Sequence, residues 1–213
     1  MFYNILDKKR LAVLPLLKTF KPDFYLAGGT GLALQLGHRD SVDFDFFSPR
    51  DINTLKLFSI VREIFKGHKI LKVQEEKNTL TVFIDDSIKL SFFTYKYKLL
   101  KKPVEEPNLR IASVVDIAVM KLSAVVSRAT NKDYIDLYFI LKEVSLKDIF
   151  TAASRKMPEL DINLVLKSLV YFEDISEEAI KFKNKKNIDF ATVKRFFEKE
   201  IAVFNWKNTK NES

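Results

Sequence analysis

Cysteine is absent from the chain and histidine occurs only twice. A disulfide scaffold and a thiolate-ligated zinc site are therefore excluded, and a histidine-rich metal centre with them. Glycine (five) and proline (six) are scarce over 213 residues, while 47% of residues are hydrophobic and 30% charged, which excludes disordered and low-complexity character. No apolar run reaches the roughly 18 residues that a membrane span needs. The opening stretch MFYNILDKKRLAVLPLLKTF is interrupted by Pro15 and Lys18 and has no small-residue cleavage site, so it reads as a helix rather than a targeting segment. The expectation is a soluble cytoplasmic protein with no membrane association.

The charge is lopsided without being localised. Up to Leu109 there are 18 basic against 13 acidic residues, and beyond it 18 against 15, for a net +8. A spread excess favours polyanionic partners such as nucleotides or RNA, and a lysine-rich surface kept for solubility gives the same count.

Four of the five glycines, Gly28, Gly29, Gly31 and Gly37, fall within ten residues. Backbone freedom is concentrated there, as a tight turn or a close approach by a ligand requires. Around it the pattern predicts a helix over 8–20 bent at Pro15, a strand over 24–27, a short helix over 31–36 ended by Gly37, and a strand over 41–47. Asp51 or Asn53 then caps a helix to about Phe65. Strands follow over 69–74, 79–84 and 88–96, the last two joined by an Asp85-Asp86-Ser87 turn. Pro103 and Pro107 mark a linker, placing one domain at 1–107 and another at 108–213. The second reads as helices over 113–128, 133–141, 146–155, 161–172, 176–183 and 190–206.

Two local patterns carry chemistry. Gly28-Gly29-Thr30-Gly31 sits where a strand runs into a helix, and the unpaired N–H groups of a helix start make an anion site suited to phosphate. No Gly-Lys-Ser/Thr follows, so it is not a Walker loop; a plain tight turn is the alternative. Asp43-Phe44-Asp45 places two carboxylates two apart on a strand, hence on one face, with Val42, Phe44 and Phe46 directed to the core. Adjacent like charges call for a cation, and Mg²⁺ accepts carboxylates together with phosphate oxygens. A solvated edge strand is the alternative.

Joined at this spacing, Ala27-Gly-Gly-Thr-Gly-Leu-Ala-Leu-Gln-Leu-Gly-His-Arg39 and Ser41-Val-Asp-Phe-Asp-Phe-Phe47 resemble the AbiEii/AbiGii toxin family of the DNA polymerase β nucleotidyltransferase superfamily. Asp116-x4-Lys121, Arg128 and Lys132-Asp133-x2-Asp136-Leu137 resemble its later motifs. The resemblance implies an α+β fold, with a mixed-sheet nucleotidyltransferase core followed by a C-terminal helical domain. It also implies a nucleotidyl group passed from a nucleoside triphosphate, with Mg²⁺ or Mn²⁺, to an RNA (tRNA in some relatives) or a protein hydroxyl. An antitoxin encoded nearby is a further implied partner. By position, Gly28, Gly29, Thr30, Arg39 and Lys121 bind nucleotide, Asp43 and Asp45 hold metal, and Asp43, Asp45, Lys121 and Asp133 form the catalytic set.

One departure stands out. The superfamily's third carboxylate falls, in Ile88-Lys89-Leu90-Ser91-Phe92, on Ser91, a neutral group that is no base by itself. Asp85 or Asp86 is the candidate substitute, and a weak or inactive nucleotide-binding relative with a regulatory or defence role is the alternative function. His38 reads either as a triphosphate contact or as an exposed turn histidine. Lys96-Tyr97-Lys98 with Lys101-Lys102 suits an RNA backbone with a stacked base, or lysine protection of a sheet edge. Lys181–Lys186 reads as a solvated loop.

Overall fold

Pro15 divides the first helical stretch. Asp7 caps α1 (Lys8–Val13) by accepting from the Arg10 N–H at 2.9 Å. Pro15 has no N–H to continue the α-helical ladder, and the chain tightens into a 3-10 helix over Leu14–Phe20. The computed structural model describes residues 1–211, with side chains as far as Phe204. It falls into two compact units, Met1–Ser113 and the chain from Val114 onward.

In the first unit β1 (Tyr25–Leu26) leads into α2 (Gly28–Leu36), which Gly37 ends in the left-handed conformation at φ 63°. β2 (Phe44–Ser48) and α3 (Thr54–Ile64) follow, with Asn53 capping α3 through the Lys56 N–H. Asp51, the other candidate cap, accepts instead from Asn78 Nδ2 at 3.0 Å. β3 (Ile70–Glu76), β4 (Thr79–Ile84) and β5 (Ile88–Thr94) form a meander whose second turn has positive φ at Asp85 and Asp86. The proline-flanked stretch pairs as two short strands, β6 (Val104–Glu105) and β7 (Arg110–Ile111).

Among the described residues these strands make one sheet of order β3-β4-β5-β2-β1-β7-β6. β2 runs parallel to β5 and β1 parallel to β7; the remaining pairs are antiparallel. The register pairs Phe44 with Leu90, and Phe46 with Phe92, on the buried face. There the Phe92 ring meets Phe20, Phe24 and Phe46 at centroid distances of 4.9, 5.2 and 5.2 Å, so aromatic packing fixes the relative height of the two central strands. Alternation turns Asp45, Phe47, Ser91 and Phe93 to the opposite face. Val42 departs from the expectation. It is 46% exposed, because the strand begins only at Phe44 and its carbonyl is held from outside the sheet.

The second unit is helical: α4 (Val114–Ser127), α5 (Asn131–Ile140), α6 (Leu146–Lys156), α7 (Ile162–Val170) and α8 (Phe190–Asn211). Ser145 and Asp161 cap α6 and α7. Tyr134 is its aromatic hub. The ring is ringed by Phe172, Phe190 and Phe197 at 5.7, 6.1 and 5.8 Å, and its hydroxyl donates to the Ser168 carbonyl at 2.6 Å. Burial, with the Asp133 charge beside it, pushes the Tyr134 phenol up to about 12. The expected helix over 176–183 is absent. Ser176 instead exchanges backbone bonds with Ala129 and Asn131, and the Asn131 amide brackets the Glu178 backbone. These long-range bonds take the groups that a helix there needs. The architecture is α+β, as the sequence implied.

Candidate active site

The glycine bend and the Asp-x-Asp strand are built onto one another. The Ala27 N–H donates to the Asp45 carbonyl at 3.0 Å, and the first helical bond of α2 runs from Gly31 N to Ala27 O. The N–H groups of Gly28, Gly29 and Thr30 thus lie ahead of the helical ladder, where the helix dipole is positive. Gly28 has φ +62°, and a Cβ there would stand 3.0 Å from Asp45 Oδ2. A Cβ on Gly29 would stand 2.7 Å from Arg39 Nη2 and 3.1 Å from Ser41 Oγ. The first position therefore needs glycine twice over, for backbone sign and for room. Thr30, 1% exposed, donates to the Asp43 carbonyl and lies 2.8 Å from Ser41 Oγ.

Arg39 lies beside the bend, buried at 4% exposure with Nη1 donating to the Asp40 carbonyl at 2.9 Å. His38 is fully buried, which corrects the exposed-turn reading. Asp43 precedes β2 and Asp45 lies within it, both half-buried. Ser91 is Asp45's partner in the parallel register with β5, and its hydroxyl is buried with no hydrogen-bond partner. Asp85 and Asp86 do not replace it. They lie in the turn ahead of β5, where their carboxylates are already engaged: Asp85 bonds His68 Nδ1 and the Lys69 N–H, and Asp86 pairs with Lys69. The His68 and Lys69 contacts hold the Asp85 carboxyl below its usual range.

Among the described residues no group of three or more His, Cys, Asp or Glu side chains is placed to hold a metal ion. The donors at the bend are two carboxylates and one unsatisfied hydroxyl, all hard oxygens of the kind Mg²⁺ or Mn²⁺ accepts alongside phosphate.

The helical unit gathers the later motifs into one buried cluster. Lys121 Nζ lies 2.7 Å from Asp133 Oδ1 and 2.7 Å from Asp136 Oδ2. Asp133 also accepts from Arg128 Nε at 3.0 Å, Arg128 Nη2 at 3.1 Å and Thr130 Oγ1 at 2.9 Å. Burial works to raise the Asp133 pKa. The Lys121 and Arg128 charges and hydrogen bonds outweigh it and hold the carboxyl below the ordinary range. Such a carboxylate is a poor proton acceptor and a good orienting group. Lys121 is 5% exposed, whereas the Arg128 side chain is 62% exposed and presents the cluster's cation to solvent.

Sequence reading missed two contributors, Arg10 and Lys156, and left Asp136 outside the catalytic set. Arg10 donates to the Val42 and Ser87 carbonyls, at the beginnings of the two strands that carry Asp45 and Ser91. Lys156 forms a fully buried ion pair of 2.6 Å with Asp116, the first residue of the Asp116-x4-Lys121 motif. Asp136 shares Lys121. Arg10 and Lys156 had no signal in the sequence, because their partners are 32 and 40 residues away.

The model of the AbiEii family, described as nucleotidyl transferase toxins of type IV toxin–antitoxin systems, matches residues 16–200. The chain belongs to this family. As an AbiEii protein it is a nucleotidyltransferase of the toxin–antitoxin class. It is 39% identical over 188 residues to the uncharacterised Aquifex aeolicus protein aq_aa25, covering 85% of this chain and 88% of that one. JHP933 from Helicobacter pylori shares the fold at TM-score 0.56 and 18% identity, with coverage of 96% of this chain and 93% of that one. The Mycobacterium tuberculosis nucleotidyltransferase toxin MenT4 does so at 0.56 and 15%, with coverage of 90% and 81%. Members of the AbiEii family generally use a nucleoside triphosphate and a divalent metal, and the type IV class pairs a toxin with an antitoxin. No helix among the described residues is long and apolar enough to cross a membrane.

Proposed function

We propose that this AbiEii protein transfers a nucleotidyl group from a nucleoside triphosphate to an RNA hydroxyl, with tRNA the foremost acceptor. The observation that carries the reading is the contact of the Gly28 bend with the Asp45 carboxylate. It lets one ligand, a triphosphate with its cation, satisfy both the helix-start N–H groups and the acidic pair. Gly28, Gly29 and Thr30 cradle the phosphates, Arg39 adds positive charge behind the bend, and Asp43 and Asp45 hold Mg²⁺ or Mn²⁺. When bound, that ion offsets charge building on the phosphoryl oxygens. The acceptor oxygen bonds to the α-phosphorus as the bond to pyrophosphate breaks, and the hydroxyl proton passes to solvent. In the helical unit Asp133 orients Lys121 and Arg128; Asp133 is not assigned as the base.

RNA is favoured over a protein acceptor by Lys96, Lys98, Lys101 and Lys102. All four are exposed, with the half-buried Tyr95 and Tyr97 among them. Lys96 and Lys98 follow β5, which lies between β4 and β2 inside the sheet, whereas Lys101 and Lys102 lead into the edge strand β6, so protection of a sheet edge accounts for two of the four at most. The toxin assignment adds an antitoxin as partner and the cytoplasm as the place of action.

The test is incubation with each labelled nucleoside triphosphate, Mg²⁺ or Mn²⁺, and total tRNA. Asp45→Asn is expected to lower transfer at least about a hundredfold while the protein stays folded. Undiminished transfer by that variant rejects the assignment. The buried Ser91 hydroxyl in place of an acid favours a second reading, nucleotide binding without transfer; calorimetric binding with no product would establish it.

A further inference from the structure

Ser91 is 1% exposed, and its Oγ has no hydrogen-bond partner. Its neighbours along β5, Leu90 and Phe92, enter the core, so Ser91 is turned to the face that carries Asp45. The parallel register sets Asp45 directly beside it, and the antiparallel register sets Thr81 on its other side. Thr81 does not serve it, since the Thr81 hydroxyl faces Gln74 Oε1 at 3.4 Å. A buried hydroxyl left unpaired is destabilising, and an alanine in the same space avoids that cost. No protein group satisfies it, which leaves the hydroxyl to a water molecule or a ligand.

The position narrows what that is. Ser91 lies one strand across from a carboxylate that itself abuts the phosphate-binding bend. A serine hydroxyl is a hard, neutral oxygen, and Ser/Thr hydroxyls ligate Mg²⁺ in Walker-type loops through the same lone pairs. We infer that Ser91 Oγ is the third protein oxygen of the divalent-cation site formed with Asp43 and Asp45. This inference rests on the proposed reading of those two residues.

The chemical consequence is a site with two negative charges where an all-carboxylate site has three. Two carboxylates neutralise a divalent ion without surplus, so the bare protein holds it weakly and the triphosphate supplies the remaining attraction. The hydroxyl adds an oxygen without adding repulsion against the incoming phosphates.

The experiment is Mn²⁺ titration followed by electron paramagnetic resonance of the free ion, with Mn²⁺ alone and with a non-hydrolysable nucleoside triphosphate analogue. Wild type, Ser91→Ala, Ser91→Asp and Asp45→Asn are compared, each with a thermal melt of the metal-free protein. Ser91→Ala is expected to melt at or above the wild-type temperature, because it removes an unpaired buried group, and yet to bind Mn²⁺ about three- to tenfold more weakly. Ser91→Asp is expected to tighten Mn²⁺ by about tenfold or more, since affinity follows ligand charge. Should the aspartate variant fail to fold, Ser91→Ala decides alone. Wild-type Mn²⁺ affinity in Ser91→Ala, alongside its loss in Asp45→Asn, overturns the role of Ser91 and leaves the acidic pair standing. Wild-type affinity in Asp45→Asn, or no uptake by the wild type under either condition, overturns the cation site itself.

Discussion

The Arg10 guanidinium donates through Nε to the Val42 carbonyl at 2.5 Å, immediately ahead of Asp43. From Nη2 it reaches the Ser87 carbonyl at 2.6 Å, immediately ahead of β5, while Nη1 pairs with Asp7. One planar fork thus ties down the beginnings of both strands that carry the candidate ligands. Arg10→Met strands two carbonyls and is expected to cost about 2–4 kcal/mol in urea unfolding. Arg10→Lys keeps the charge without the fork geometry and is expected to restore less than half of that loss. Equal stability of the lysine variant and the wild type would show that charge alone is at work.

Gly28→Ala tests the bend. A left-handed residue with a Cβ costs about 1–2 kcal/mol, and the added methyl also presses on the Asp45 carboxylate, 3.0 Å away. The expected result is a lower melting temperature together with a loss of nucleotide transfer larger than that instability explains. Full transfer activity at a temperature where the variant is folded contradicts the proposed contact between bend and acid.

Lys156 and Asp116 are each fully buried. Removing one partner strands a charge, so Lys156→Met is expected to destabilise the protein by about 3–5 kcal/mol. Adding Asp116→Leu to that variant removes the stranded carboxylate and is expected to recover much of the loss. A double variant no better than the single one, measured by urea unfolding, means that the pair's cost lies in packing rather than in charge.

Asp133 sets an acid limit on stability. Its folded-state pKa is depressed, so its stabilising contribution is complete above the ordinary carboxylate value of about 3.9 and is lost as pH falls through the folded value. Asp133→Asn is expected to be less stable at neutral pH and to show a flatter fall in melting temperature between pH 5 and pH 3, an order-of-magnitude window set by that linkage. Parallel pH profiles for the two proteins would place the acid sensitivity in another group.

Much of the fold and of the candidate site was legible because its signals are local. Asn53, Ser145 and Asp161 stand where capping oxygens must, and Gly37 stands where a helix ends. The glycine cluster and Asp43-x-Asp45 lie within twenty residues of one another, so their spacing alone pointed to phosphate and cation. The segment over 176–183 was misread as helix for the opposite reason: its backbone bonds are to Ala129 and Asn131, which helical propensity does not register.

By itself, then, the amino-acid order determined where most of the helices and strands lie, which residues form the bend, and that two acids follow it. Caps, turns and alternation act over a few residues, and so can be read along the chain. Only the tertiary structure decided that Ser91 lies beside Asp45, that Arg10 spans two strand beginnings, and that Lys156 neutralises Asp116. Each of those depends on strand register or helix packing between distant segments, and core packing rather than local preference selects it.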